Sequence, residues 1–154
     1  MGSYLNPGSA AFQGSLRSQI YIDKSGLIGK MNALLGTEQK YVCVSRPRRF
    51  GKSMAANMLS AYYDRDCDTR EFFDKLKISQ SEEYLKHLNQ YDVLKINMQE
   101  FLSATQGMEE MLRLLQKRLI KDLKIRYPEY AKEDNLIFVM RNIFSNTLHP
   151  FIFL

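Results

Sequence analysis

The chain has 154 residues, 45% of them hydrophobic and 25% charged, which is enough for one globular core and too few for two ordinary domains. No stretch approaches the roughly 18–20 consecutive apolar residues of a membrane helix, so a soluble protein with no membrane partner is expected. Twenty-two basic against 17 acidic residues leave a formal charge of +5 that favours anionic partners, while two histidines and two cysteines without ligand spacing give a zinc site or a disulfide framework no support.

Residues 1–18, rich in Gly, Ser and Asn and containing Pro7, read as an N-terminal arm ahead of a domain over 19–154. The arm lacks the basic start and apolar centre of a secretory signal, and Asn6 stands where a myristoylation signal from Gly2 wants Ser or Thr. Cys43, inside an apolar run, reads as a buried free thiol, which fits a reducing cytoplasm.

Ile20-Tyr21-Ile22 is a short β-prone run, and Ser25 is placed to cap a helix that Gly36 ends after Leu35. Tyr41-Val42-Cys43-Val44 has the form of a strand buried on both faces. From Ser53 a helix is expected, with Met54, Met58, Leu59 and Tyr62 on one face. Short helices over Arg70 to Leu76 and Ser81 to Leu88 come next, then a strand over Val93 to Ile96. The spacing Met108, Leu112, Leu115, Leu119, Leu123 predicts a long helix from Met108 to Tyr127. A last helix over Asp134 to Thr147 precedes the apolar strand Phe151 to Leu154. Strands alternating with helices indicate an α/β domain around a mostly parallel sheet.

The segment between the strand at Val44 and the next helix carries the chemistry. A phosphate loop works because backbone N–H groups at a glycine-rich turn and a helix N-terminus converge on phosphate oxygens that the helix dipole also favours. Its usual pattern is G-x-x-x-x-G-K-[ST], and the window here is Arg46-Pro47-Arg48-Arg49-Phe50-Gly51-Lys52-Ser53, with Arg46 in place of the first glycine. The competing account of the same residues is a surface turn with solvated arginines.

Ser45 to Ser53, preceded by Tyr21-Ile22-Asp23-Lys24-Ser25-Gly26-Leu27-Ile28 and followed by Asn97-Met98-Gln99-Glu100-Phe101, resembles the bacterial AAA-ATPase-like proteins, which often carry a C-terminal PD-(D/E)XK nuclease-like domain. The resemblance implies a P-loop NTPase-like three-layer sandwich that binds ATP with Mg2+ and acts as an ATPase in the full-length protein. It implies that Arg48, Arg49, Phe50, Gly51, Lys52 and Ser53 line the nucleotide, with Lys52 as the catalytic cation on the outer phosphates and Ser53 as the magnesium ligand. It also implies that a strand such as Phe151 to Leu154 runs into Walker B acids. The chain stops at Leu154, so an N-terminal fragment without its own hydrolytic competence is expected.

Other groups are weighed beside the loop. Arg113, Lys117, Lys121 and Lys124 form a basic stripe that suits a phosphate backbone or simply a solvated face, with Glu109, Glu110 and Asp122 diluting its field. Asp23 and Lys24 suit either the neighbourhood of the nucleotide base or a surface ion pair. Gln99 and Glu100 follow the middle strand, where ligands bind in open α/β sheets, or are plain loop residues. His87 and His149 show no catalytic partners. The alternative function is a non-enzymatic module, binding nucleic acid or protein, whose degenerate loop holds no nucleotide; oligomeric state leaves no mark in the sequence.

Overall fold

The computed structural model describes residues 2–45, 47 and 49–154, and the expectations for Arg46 and Arg48 lie outside them. The chain divides into two compact units, one of Gly8–Gln90 and one of Met1–Pro7 with Tyr91–Leu154.

The first unit is helical: α1 (Ala10–Leu16), α2 (Gly26–Asn32), α3 (Lys52–Tyr63), α4 (Arg70–Phe73), a 3-10 turn (Lys77–Gln80) and α5 (Tyr84–His87). Its core is aromatic. Phe12 of α1 stacks on Phe73 at 4.9 Å between centroids, and Tyr62 meets Phe73 edge-on at 5.3 Å and Tyr63 at 4.9 Å. Aromatic phenols need partners when buried. Tyr63 donates to the Asn32 carboxamide oxygen (2.7 Å), the Asn32 amide donates to Tyr62 Oη (3.2 Å), and Tyr62 donates to the Tyr84 carbonyl (2.6 Å).

The C-terminal half of α3, Met58 to Tyr63, is wholly buried, so its last carbonyls cannot be left to water. Asp64 N–H satisfies Ser60, Thr69 Oγ1 donates to Ala61 O (3.0 Å), and Asn89 N–H donates to Tyr62 O (2.8 Å). The Asn89 side chain adds Nδ2 contacts to Asp64 O (2.9 Å) and Ala61 O (3.3 Å), and its Oδ1 accepts from Thr69 N (3.2 Å). Asn89 does this from the left-handed region, φ 56°, which asparagine tolerates better than most residues.

In the second unit, β1 (Asp92–Leu94) pairs in parallel with β2 (Phe151–Phe153), Val93 opposite Ile152; between them run α6 (Met98–Ala104), α7 (Met108–Arg126) and α8 (Leu136–Thr147). Leu5, Leu94, Leu119, Leu123, Tyr127, Val139 and Ile143 form the core. The first residues are no free arm: Leu5 bridges Leu94 antiparallel, with Asn6 N–H to Val93 O (2.8 Å) and Lys95 N–H to Tyr4 O (2.9 Å). Buried Asp122 accepts from Tyr4 N (2.7 Å) and Leu5 N (3.2 Å), and buried Asp92 accepts from Asn6 Nδ2 (3.0 Å) and Tyr127 Oη (2.6 Å).

Several expectations are corrected. Residues 8–18 hold a helix, α1, whose Phe12 enters the core, in place of an extended arm. Among the described residues the expected strands Ile20 to Ile22 and Tyr41 to Val44 join no ladder. Tyr41, Val42 and Val44 are 87, 45 and 49% exposed, and Cys43 is exposed instead of buried. Strand preference reflects fit to a pleated, half-buried surface, so an apolar run becomes a strand only where a neighbour offers one. The α/β expectation holds in coarser form: the fold is helix-rich with one small parallel sheet.

Asn89→Ala removes the amide that bonds the C-cap carbonyl of Asp64 and the oxygen that accepts from Thr69 N–H, and leaves a left-handed residue without its side-chain bonds. With about 1–3 kcal/mol per buried unsatisfied group and about 1 kcal/mol for the backbone, the loss should be roughly 2–4 kcal/mol. Asn89→Gly, which relieves only the backbone part, should recover about 1 kcal/mol of that in urea unfolding. A change below about 0.5 kcal/mol, the range of ordinary surface substitutions, would show that Asn89 does not hold α3.

Candidate functional site: the turn at the start of α3

The two ends of α3 have opposite character. The buried half fixes the helix, while Lys52 and Ser53 in its first turn are exposed. The chain enters α3 through Arg49 (φ 66°) and Gly51 (φ 77°), both left-handed, with Gly51 as N-cap and, among the described residues, no side chain capping the helix. Glycine adopts this conformation without strain, whereas at Arg49 it costs about 1–2 kcal/mol. The first bond of α3 runs from Ala55 N–H to Gly51 C=O (2.9 Å), so the N–H groups of Lys52, Ser53 and Met54 stand ahead of the helical ladder at the positive end of the dipole.

Lys24 reaches this turn from the segment before α2. Its Nζ donates to the Phe50 carbonyl (3.4 Å) and lies 3.1 Å from where a Cβ on residue 51 would sit. Asp23 faces another way and accepts from Ser25 N (2.8 Å) and Lys77 N (2.8 Å). Burial opposes its ionisation, but hydrogen bonds from Ser25 and Lys77 outweigh it and hold the carboxyl below its ordinary value. The two residues therefore act separately, Asp23 on backbone amides and Lys24 on the loop.

Beside the turn lies a cleft of about 330 Å³, lined on its apolar walls by Phe12, Tyr21, Ile22, Phe50, Met54 and Met58, with Lys24, Arg49 and Gly51 at its edge. Burial and the charge of Asp23 push the Tyr21 phenol up, keeping it neutral. The cleft suits a flat, weakly polar group, and the adjoining turn suits an anion.

Arg49, Phe50, Gly51, Lys52 and Ser53 are thus contiguous at the mouth of one helix, with Phe50 60% exposed. Gln99 and Glu100 belong to the other unit, in the first turn of α6, where Glu100 accepts from Tyr4 Oη (2.7 Å) and raises that phenol's pKa. His149, for which the sequence shows no catalytic partner, lies 2.9 Å from Tyr127 Oη and 3.9 Å from Asp92. No local spacing announces that contact. His87 is buried and its pKa is lowered, first by burial and then by Lys86. The Cys67 thiol is half-buried and pushed up to about 12 by burial and by Asp64. Among the described residues no group of three or more His, Cys, Asp or Glu is placed to hold a metal ion, and no helix is long and apolar enough to cross a membrane.

Comparison with protein families matches residues 12–154 to the AAA-ATPase-like family, described as a predicted AAA-ATPase. No curated protein and no solved structure matches the chain. The family description suggests nucleotide binding and an ATPase at the level of the family as a whole. With the match covering α1 through β2, the chain belongs to the AAA-ATPase-like family.

Proposed function

We propose that the segment from Arg46 to Ser53 is a variant phosphate loop that binds ATP with Mg2+, on a fold of the P-loop three-layer type. The observation that carries the reading is the left-handed Gly51 opening a 12-residue helix whose far half is locked in the core. Such a helix end offers fixed N–H donors, each charge-assisted bond to phosphate contributing about 1.5–3 kcal/mol. Lys52 supplies the cation for the outer phosphates, Arg49 and the neighbouring Arg48 add positive charge, and Phe50 and Gly51 shape the wall. Lys24, held on the Phe50 carbonyl, brings a further cation to the same turn. The adjoining cleft takes the base between Tyr21, Ile22 and Met54.

Magnesium fits this donor set as a nucleotide-borne ion. The Ser53 hydroxyl would be the protein oxygen offered to the ion, whose other positions waters and phosphate oxygens would fill. When bound, the ion neutralises charge between the outer phosphates.

Lys52→Ala should weaken Mg-ATP binding roughly 10- to 150-fold, the equivalent of one charge-assisted contact. Titration calorimetry on the folded variant checks this, and unchanged affinity would sink the loop assignment in favour of the non-enzymatic module.

Hydrolysis asks for more: a carboxylate behind the metal and a group that orients the attacking water. The described lining of the cleft contains no acidic residue. With no acid in that lining, phosphate release by the 154-residue chain should stay at background. Release above background that disappears in Lys52→Ala would show the described site to be already complete.

A further inference from the structure

The second unit carries a separate, strongly charged feature. One face of α7 lines a groove of about 940 Å³ with Arg113, Lys117, Arg118, Lys121 and Lys124, against one carboxylate, Asp134. The acids that dilute the α7 charge in sequence are occupied elsewhere. Asp122 is buried under the amides of Tyr4 and Leu5, and Glu110 accepts from Gln106 N (3.0 Å) at the helix start. Glu109 makes only a long, exposed pair with Arg113 (3.7 Å), of a kind that contributes little. Among the described residues Lys124 is the groove cation with a close acidic partner, Asp134 at 2.6 Å.

We propose that this groove docks the phosphate backbone of a nucleic acid. Arg113, Lys117 and Lys121 follow one another at about 6 Å of helix rise, so each meets roughly every second phosphate of a strand whose charges advance about 3.4 Å apiece. A lipid surface fits less well. Interfacial helices need an apolar face to insert, and most of the apolar side chains of α7 are buried or partly buried, Met111, Leu119 and Leu123 among them, while the groove itself exposes one large apolar side chain, Ile125, among the described residues. Among the described residues no aromatic side chain lines the groove, so bases have no stacking platform there and binding reads charge, not sequence.

The test is fluorescence anisotropy of the whole chain with a labelled mixed-sequence duplex, across about 50–200 mM salt. Four cations apart from Lys124 give an expected slope of about −3 to −4 in log K against log salt. The exposed pair Lys117→Ala/Lys121→Ala should lower the slope by about 2 and the affinity at the low-salt end by tenfold or more. Lys75→Ala/Lys132→Ala, the same charge change at exposed sites outside the groove, should alter neither. Thermal melting of each variant establishes that it is folded. Equal slopes for the two double variants, no duplex binding by the wild type, or binding to phosphatidylserine-containing vesicles in place of duplex would each overturn the proposal.

Discussion

Everything at the candidate site depends on how the far end of α3 is held. A helix that offers its N-terminal amides to an anion must stay put when that anion arrives, and the fixing is done about 15–18 Å away by rise along the axis. There Asn89, Thr69 and Asp64 take up the last carbonyls, and Tyr62 and Tyr63 sink their rings into an aromatic core while sharing the Asn32 carboxamide. The arrangement separates two demands that conflict within one turn of helix. The C-terminal end is buried with the Ser60, Ala61 and Tyr62 carbonyls hydrogen-bonded, and among the described residues the N-terminal end has no side-chain cap. A capping serine or aspartate at residue 51 would satisfy an amide that the proposed ligand needs.

The second unit solves a different problem. Its sheet has only two strands, too few to stand alone in water, and the chain supplements them with Leu5 and Asn6 on one side and α7 and α8 over the core. Two buried carboxylates do the stitching. Asp122 gathers the amides of Tyr4 and Leu5, and Asp92 joins Asn6 to Tyr127, so residues at opposite ends of the chain share hydrogen bonds worth more in the interior than on the surface. The same Asp122 leaves the outer face of α7 with a nearly uniform sign.

Long periodic elements were legible in the sequence, and contacts between distant residues were not. The stripe from Met108 to Leu123 locates α7 to within a residue, and Asn135 caps α8 by accepting from Ile137 and Phe138. Yet Met108 is 64% exposed while Met111 and Ile120 are buried, because periodicity marks a face and packing decides how much of it is used. The turn ahead of α3 was legible through Gly51, whose left-handed backbone is what a glycine at that point signals. Lys24 on the Phe50 carbonyl, His149 on Tyr127 and the pairing of Leu5 with Leu94 all join positions far apart in sequence. Tyr41 to Val44 misled for the converse reason: its composition is that of a strand, and a strand is a property of two segments.

The contrast between the two cysteines has a practical side. Cys67 is half-buried with its thiol held protonated, pushed up to about 12, so at neutral pH it offers almost no thiolate to an electrophile. Cys43 is exposed on the stretch that leads into the Arg46 to Ser53 turn. Within these 154 residues one thiol is therefore suited to maleimide chemistry, a few residues upstream of Gly51, where a fluorophore or spin label can be attached without engineering a cysteine into the chain.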